Sequence, residues 1–211
     1  GAGKTTIFNL LTNVYKPTRG TILLDGIDTA GKSMVQVNKM GIARTFQNIR
    51  LFSQMTVEQN VLVGLGNSMS TRLVDDIFRT PKHWKQEREF HDQAMELLSF
   101  FGMERFANTK AGNLPYGEQR RLEILRALGT HPKVLLLDEP AAGMNPNETE
   151  DLMENILRIR DEFHLAVLLI EHDMRLVMGV CEVVAVLDYG KIIAKGTPEE
   201  IQNDPRVIEA Y

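Results

Sequence analysis

Three residues near the start of the chain have the types and the order that bind phosphate. Gly3, Lys4 and Thr5, in the stretch "GAGKTT", match the closing residues of the loop motif G-x-x-x-x-G-K-[ST]. In that loop, backbone N–H groups and the start of the following helix bind phosphate oxygens, the lysine neutralises the β- and γ-phosphates, and the hydroxyl ligates Mg²⁺. A match this short leaves open a structural alternative, in which these residues only start a helix and the lysine is a surface charge.

A strand that ends in two carboxylates favours the phosphate-binding interpretation. The run "VLLLDEP" (134–140) is continuously apolar, as in buried parallel strands, until Asp138 and Glu139. Ligands of open α/β sheets bind at this carboxyl end of the strands. Asp138 would hold Mg²⁺ through its water shell, and Glu139 would act as general base toward an attacking water. The alternative is a strand that ends in acidic turn residues before Pro140.

Two further polar side chains could act on the same phosphate. His172 ends the run "LLIEHD" (168–173), where a neutral imidazole could hydrogen-bond the γ-phosphate. Gln47, in "RTFQNIRLF", could reach the metal and the attacking water. The alternatives are a structural histidine and a solvated loop glutamine.

A second helix N-terminus is available for phosphate. The run "NLPYGEQRRLEILRAL" (113–128) places Gly117 before a helix with an apolar face formed by Leu122, Leu125 and Leu128. This helix start has no lysine of its own.

The elements that must position these residues alternate between strands and helices. Buried strands are predicted at 133–138, 165–172 and 183–188, and a strand with an Asp-Gly turn at 21–26. The first motif is followed by a predicted amphipathic helix, ended by Pro17 and Gly20, whose apolar stripe is Ile7, Leu10, Leu11 and Val14. The alternation predicts an α/β fold with a mostly parallel sheet.

Two helix starts are marked by their capping residues. Asn145 and Pro146 form an N-cap and N1 pair, before a helix with the apolar face Leu152, Ile156, Ile159 and Phe163. Thr197 and Glu200 have the spacing of a capping box at the start of a last helix.

Length and composition exclude several classes of protein. The 211 residues, 43% of them hydrophobic, are enough to bury a core. A formal net charge of −4 disfavours nucleic acid as the main partner. No apolar run approaches the ~18 residues that span a bilayer, and the single cysteine, Cys181, excludes an internal disulfide. These features predict a soluble, intracellular protein.

In order and spacing, these motifs resemble those of an ABC-transporter ATPase. The likeness is carried by Gly3-Lys4-Thr5, Gln47, the run 114–119, Asp138-Glu139 and His172, and it spans essentially all 211 residues. Five runs resemble, more narrowly, the ATP-binding subunit of a branched-chain amino-acid importer: "ARTFQNIRLF", "YGEQRRLEI", "DEPAAGMNP", "IEHDM" and "PRVIEAY".

The resemblance implies a P-loop NTPase (RecA-like) core with an inserted α-helical subdomain. Residues 1–67 would be the N-terminal part of the ATPase lobe, 68–128 the helical subdomain with the signature loop, and 129–211 the C-terminal part of the lobe. The implied cofactors are ATP and Mg²⁺. Glu139, His172 and Gln47 would be catalytic, and Thr5, Gln47 and Asp138 would serve the metal. The phosphates would be bound by Gly1, Ala2, Gly3, Lys4, Thr5 and Thr6.

The resemblance also implies partners. Two ATP-binding subunits, identical or sister, would pair head to tail, and the signature loop of one would close over the ATP held by Lys4 of the other. That loop contains Leu114, Tyr116, Gly117 and Glu118, and Asn145 would contact the opposite subunit.

The transport partners implied are transmembrane permease subunits and, indirectly, a solute-binding protein, with no nucleic acid. The chain would be peripheral, at the cytoplasmic face of the inner or plasma membrane. A groove beside Gln47 would receive a permease helix and be lined by Leu51, Phe52 and Met55, unless these side chains are ordinary core packing.

The sequence departs from the family pattern at two places. Pro115 and Tyr116 stand where the usual signature loop has Ser and Gly, and Pro115 offers neither a hydroxyl nor an N–H. We expect this variant loop to risk slower turnover. Asn145 replaces the usual Asp, which keeps a hydrogen-bonding side chain but removes a charge.

The chain starts inside its first motif. The first glycine of the motif, the strand that feeds the loop and the adenine-stacking residue would all lie upstream of Gly1. We therefore expect an N-terminally truncated fragment that binds ATP poorly.

Three alternatives compete with a transport ATPase. A non-transport ABC-type ATPase acting on DNA or ribosomes usually has coiled-coil insertions or tandem cassettes, and the sequence has neither. A non-catalytic ATP-dependent dimerisation module would not need both Glu139 and His172. A kinase or GTPase would not explain the Gly117 helix together with His172.

Overall fold

The chain divides into two compact units. The computed structural model describes residues 2–66 and 81–210. The first unit comprises Gly1–Val37 and Leu136–Tyr211, and the second unit comprises Asn38–Leu135. The division predicted from the sequence, 1–67, 68–128 and 129–211, stays a prediction.

The described elements alternate between helices and strands. In chain order they are α1 (Lys4–Leu11), β1 (Leu23–Leu24), β2 (Ile27–Asp28), α2 (Met34–Met40), β3 (Ile42–Arg44), α3 (Val57–Gly66), α4 (Pro81–Phe100), α5 (Tyr116–Leu128), β4 (Val134–Asp138), α6 (Pro146–Phe163), β5 (Ala166–Ile170), α7 (Met174–Val180), β6 (Val184–Asp188), β7 (Lys191–Gly196), α8 (Pro198–Gln202) and α9 (Pro205–Ala210). The predicted α/β fold with a parallel sheet is confirmed.

A three-stranded sheet in the order β3-β4-β5 supplies the strand ends of interest. β4 is the buried strand that the sequence predicts, since Leu135, Leu136 and Leu137 are all buried. At its start, the N–H groups of Lys133 and Val134 donate to the carbonyl of Gly41 at 2.8 and 2.9 Å.

The predicted burial of residues 165–172 is wrong for most of the strand there. β5 alternates between exposed and half-buried residues until Ile170, and Leu168 is exposed. Among the residues that the structure describes, β5 lies at the end of the three-stranded sheet, with a neighbouring strand on one side. A strand so placed has fewer neighbours to cover its side chains, so an apolar run there does not imply burial.

The first helix is shorter than its apolar stripe predicts. α1 ends at Leu11, where the Thr12 hydroxyl donates to the carbonyl of Phe8 at 2.8 Å and Asn13 takes a left-handed φ of 55°. Left-handed residues end helices, and asparagine tolerates that conformation well. Val14 therefore lies outside the helix and is exposed, and Phe8 is the buried residue of α1.

The predicted caps are confirmed. The Asn145 side chain accepts hydrogen bonds from the N–H groups of Asn147 and Glu148, and the Glu148 side chain accepts the N–H of Asn145, which completes a capping box. Pro146 lies in the first turn of α6. Thr197 and Glu200 form the second capping box, at α8. Of the predicted apolar face of α6, the buried members are Leu152, Ile156 and Ile159, whereas Phe163 is exposed.

Two hairpins lie in the first unit. β1 and β2 are antiparallel and are joined through Asp25 and Gly26, both at positive φ, as the predicted Asp-Gly turn requires. β6 and β7 are also antiparallel, and Tyr189 and Gly190 turn between them at positive φ. The predicted strand at 183–188 is therefore present as β6.

None of the helices within residues 2–66 and 81–210 combines the length and the apolar character needed to cross a bilayer.

The second unit depends on close packing between α3 and α5. Gly64 of α3 is buried, and a Cβ added there would collide with the backbone carbonyl oxygen of Arg126 in α5. A backbone atom cannot move aside as a flexible side chain can, so the two helices approach this closely only with glycine at the contact.

We expect Gly64→Ala to destabilise the protein and Gly66→Ala to leave it unchanged or slightly more stable. The first change forces the two helices apart and should cost roughly 1–3 kcal/mol of unfolding free energy. The second adds its methyl where no atom lies within 4 Å, at the end of the same helix. Denaturant unfolding of both variants measures the difference, and equal stabilities would contradict the packing argument.

Candidate functional site

The predicted phosphate-binding residues lie at the N-terminus of α1. Gly3 precedes the helix at a φ of 92°, a left-handed conformation that glycine adopts without strain. Lys4 begins the helix, and its Nζ donates to the backbone carbonyl of Glu171 at 3.4 Å. The side chains of Thr5 and Thr6 are exposed, so both hydroxyls are accessible.

Ala2 is held beside the β6–β7 turn. Its carbonyl accepts a hydrogen bond from the N–H of Gly190 at 3.0 Å. Gly1, which is also predicted to belong to the loop, lies outside the described residues.

The end of β4 turns sharply between the two predicted carboxylates. Asp138 is the last residue of the strand and is buried. Glu139 takes a left-handed φ of 46°, which costs a non-glycine residue about 1 kcal/mol or more. Its N–H donates to the carbonyl of Ile170, the last residue of β5, at 2.8 Å. Strained backbone of this kind is characteristic of functional sites.

His172 lies beside Glu139. Its Nδ1 is 3.9 Å from Glu139 Oε1 and equally 3.9 Å from Glu171 Oε2, and the imidazole is 66% exposed. These distances are too long for a hydrogen bond, so the imidazole lies beside both carboxylates without bonding either one. The two strand ends thus bring together the predicted general base and the predicted γ-phosphate ligand, with the imidazole open to solvent.

The oxygen donors of the first unit fit Mg²⁺ in their chemistry. Thr5 offers a hydroxyl and Asp138 a carboxylate, both hard ligands. Within the part of the chain that the structure describes, no group of three or more His, Cys, Asp and Glu side chains could hold a metal ion. Mg²⁺ does not require such a group, because it keeps several waters and takes one or two carboxylates.

The loop after Glu139 ends at the cap of α6. Asn145, predicted to contact an opposite subunit, is exposed, and its side-chain oxygen accepts the N–H groups of Asn147 and Glu148 at 3.0 Å each. Within this chain the residue is therefore a helix cap, and its role toward a second subunit stays a prediction.

In the second unit, the predicted signature loop starts α5. The helix begins at Tyr116, so Gly117 lies in its first turn and is buried, rather than preceding the helix as the sequence predicts. The side chain of Leu114 is buried and that of Tyr116 is exposed. Glu118 lies in the first turn, 3.5 Å from the guanidinium of Arg121.

The segment around Gln47 is held by a buried ion pair that the sequence analysis missed. The side chains of Arg120 and Glu123 in α5 are 0% and 1% exposed, and Arg120 Nη1 lies 2.8 Å from Glu123 Oε2. The guanidinium of Arg120 donates to the carbonyls of Phe46 and Gln47 at 2.6 and 2.7 Å. Glu123 accepts from the N–H groups of Phe46 and Arg50 at 3.5 and 3.1 Å.

This pair, here called the Arg120–Glu123 clamp, fixes the backbone on both sides of Gln47. The side chain of Gln47 is exposed. The available signal was the placement of two opposite charges, three residues apart, beside the predicted apolar positions Leu122 and Leu125. The sequence does not reveal what such a buried pair contacts seventy residues away, because those partners are irregular backbone.

The next part of the same loop presents apolar side chains. Phe52 is 48% exposed, and its backbone is bonded to the buried Asn60 side chain in both directions, at 3.0 and 3.1 Å. The guanidinium of Arg126 lies over the Phe52 ring at 5.5 Å, and burial lowers the pKa of Arg126. Met55 is also exposed, and Leu51 is half-buried.

Two family matches cover much of the chain. Residues 1–142 match the family described as "ABC transporter", which is more than half of the sequence. The chain belongs to the ABC transporter family. Residues 191–211 match the family described as "Branched-chain amino acid ATP-binding cassette transporter".

Curated relatives of this ABC protein align with all of it. It is 47% identical over 211 residues to the high-affinity branched-chain amino acid transport ATP-binding protein BraF of Pseudomonas aeruginosa, of which it covers 83%. It is 48% identical over the same length to the corresponding protein LivG of Escherichia coli strain K12, again covering 83%. A probable LivG of Methanocaldococcus jannaschii is 33% identical over 216 residues, with 82% covered.

Solved structures show the same fold. The ADP conformation of MJ1267, an ATP-binding cassette of an ABC transporter, matches with a TM-score of 0.83 at 30% identity, over 100% of this chain and 83% of that one. A dimeric, post-hydrolysis structure of the cassette MJ0796 bound to ADP and Pi matches with a TM-score of 0.76 at 25% identity, over 93% and 81%. As a member of this family, the chain is an ATP-binding ATPase.

We expect Glu123→Gln to destabilise the protein strongly, because it leaves the Arg120 charge buried without a full counter-charge. Breaking a buried ion pair from one side costs about 3–5 kcal/mol of unfolding free energy. The matched control is Glu162→Gln, which removes one partner of the exposed pair with Arg158 and should change stability little. Chemical denaturation measures both variants. A clamp variant as stable as the control would show that the Arg120–Glu123 clamp is dispensable.

Proposed function

We propose that this ATPase powers an importer of branched-chain amino acids. The observation that carries the proposal is the meeting of Glu139 and His172 at the ends of β4 and β5, 3.9 Å apart, in a chain 47–48% identical to two branched-chain amino acid transport ATP-binding proteins. ATP hydrolysis requires a general base close to a group that binds the γ-phosphate, whereas a module that only binds ATP does not require a general base.

Residues of the first unit would bind the phosphates of ATP, activate the attacking water and hold the metal. The N–H groups at the start of α1 and the ammonium of Lys4 bind the phosphates. Glu139 accepts a proton from the attacking water, and His172 donates a hydrogen bond to the γ-phosphate. Mg²⁺, held by Thr5 and through water by Asp138, would neutralise charge that develops on the phosphates.

The second unit would supply groups for a neighbouring subunit and for the metal. The first turn of α5, at Gly117, presents N–H groups without intrahelical partners, which suit the γ-phosphate of ATP bound to another copy or to a sister subunit. Leu114, Tyr116 and Glu118 would surround that contact. The Gln47 side chain would reach the metal and the attacking water.

The exposed side chains beside Gln47 support a permease-docking surface. Phe52 and Met55 are large, apolar and exposed. The Asn60 side chain holds the backbone of Phe52, and the clamp holds the segment just before it. Exposed apolar side chains on a rigid loop are suited to receive a helix of a membrane subunit. On this proposal the chain is peripheral at the cytoplasmic face of the membrane, and a solute-binding protein delivers the amino acid.

Glu139→Gln in the full-length protein should remove hydrolysis and preserve nucleotide binding. The amide cannot take the proton of the attacking water, so turnover should fall about 10²–10⁴-fold. Steady-state hydrolysis and equilibrium binding of ATP measure the two properties, with the exposed Glu182→Gln as the control that should keep full activity.

The same variant separates a motor from an ATP-dependent clamp. A motor that lacks the general base should retain ATP and dimerise tightly, which gel filtration with ATP detects. Unchanged hydrolysis, or unchanged dimerisation beside wild type, would contradict the motor assignment.

The solute assignment predicts an uptake defect with a defined pattern. A strain without this gene should lose the rapid uptake of radiolabelled leucine, isoleucine and valine while keeping the uptake of an unrelated solute such as phosphate. The wild-type gene should restore uptake and Glu139→Gln should not. Normal uptake of all three amino acids would refute the solute assignment and leave the ATPase assignment standing.

A further inference from the structure

The residue before His172 is a buried carboxylate that the roles above leave unused. The side chain of Glu171 is 1% exposed, although its neighbour His172 is 66% exposed. A carboxylate removed from water requires hydrogen-bond donors that replace its hydration.

Its donors are backbone N–H groups of two functional segments. Oε1 accepts the N–H of Ala141, two residues after Glu139, at 2.9 Å. Oε2 accepts the N–H groups of His172 and Asp173 at 3.1 and 3.4 Å. Hydrogen bonds to an ionised acceptor are about twice as strong as neutral ones.

Hydrogen bonds hold the backbone at Glu139 and two residues after it. Glu139 donates its own N–H to Ile170, Pro140 has no N–H to donate, and Ala141 donates to the Glu171 side chain. Glu139, with its left-handed φ, thus belongs to a segment fixed by two hydrogen bonds. Strained conformations persist only where their surroundings hold them, and the Glu171 carboxylate is one of the two anchors here.

The bonds to residues 172 and 173 fix the start of α7. Asp173 in turn caps α7 by accepting the N–H groups of Arg175 and Leu176 at 2.9 and 3.3 Å. His172 thus lies between Glu171, which accepts its N–H, and Asp173, which caps α7.

We propose that Glu171 is a positioning residue for hydrolysis, whose carboxylate holds Glu139 and His172 in one fixed relation. The inference rests on the proposed roles of those two residues. Lys4 contacts the backbone carbonyl of Glu171 and not its side chain. Substitution of the side chain should therefore slow the chemical step and spare ATP binding.

The test is Glu171→Gln in the full-length protein. Glutamine has one acceptor oxygen and turns an NH₂ donor toward backbone N–H groups, so it can serve one segment but not both. We expect kcat to fall at least about tenfold, since a bond to a charged group is lost, with KM for ATP within about threefold of wild type. Glu150→Gln, which removes an exposed partner of Arg175, is the control and should keep full activity.

A double variant separates positioning from general destabilisation. If Glu171 acts through Glu139, adding Glu171→Gln to Glu139→Gln should reduce single-turnover hydrolysis by less than about twofold, because neighbours that act together are not additive. The melting temperature of each variant is measured beside its rate. If Glu171→Gln does not fold, Glu171→Asp, which keeps the charge on a shorter side chain, is measured by the same criteria.

The outcomes are distinct. If wild type hydrolyses ATP, three results would overturn the positioning role: an unchanged kcat in Glu171→Gln, a fall in kcat no larger than its unfolded fraction explains, or full additivity in the double variant. A wild-type protein without hydrolysis would overturn the proposed function and this inference together. A fall in kcat at constant KM that disappears in the Glu139→Gln background supports the role.

Discussion

The location of Asp138 and Glu139 depends on the burial of one short strand. Leu135, Leu136 and Leu137 of β4 are almost fully removed from solvent, and burial of each apolar side chain contributes about 1.5–3 kcal/mol. A slip of one residue would turn every side chain of the strand to the opposite face. Hydrogen bonds from Lys133 and Val134 at one end and from Glu139 at the other keep the register. Asp138 therefore stays with the buried strand, and the reversal at Glu139 begins where the apolar run stops.

Irregular backbone in both units is held by buried charges. Residues 139–141 and 46–50 belong to no helix or strand, so no regular hydrogen-bond ladder sets the conformation of their N–H and carbonyl groups. Glu171 satisfies such groups in the first unit, and the Arg120–Glu123 clamp does so in the second. A buried charge without hydrogen-bond partners strongly destabilises a fold. Loop conformations that move these N–H or carbonyl groups away from the charge are therefore disfavoured. The charges are thus a physical reason for the shape of the loops that carry Glu139 and Gln47.

Local patterns made part of this structure predictable. The Gly-Lys start of α1, the apolar run of β4 and the Asn145 cap each depend on a few consecutive residues, and the structure contains all three. The same patterns failed where the tertiary environment decides. Val14 continues an apolar stripe beyond the helix end at Thr12 and Asn13. Leu168 is exposed on β5, which lies at the end of the sheet that the structure describes. The contacts of Glu171 with Ala141 and of Arg120 with Phe46 and Gln47 could not be found, because these backbone partners lie 30, 74 and 73 positions away.

The unusual signature loop shows how a departure from a family pattern can be accommodated. Pro115 is the N-cap of α5, where a missing N–H removes no bond of the helix itself. Tyr116 stands where a glycine is usual, and its hydroxyl accepts from Arg120 at 3.3 Å. A glycine offers no side chain for that contact. The same guanidinium bonds the carbonyl of Gln47. The first turn of α5 and the Gln47 segment therefore share one buried cation, and a displacement of either one strains the bonds of the other.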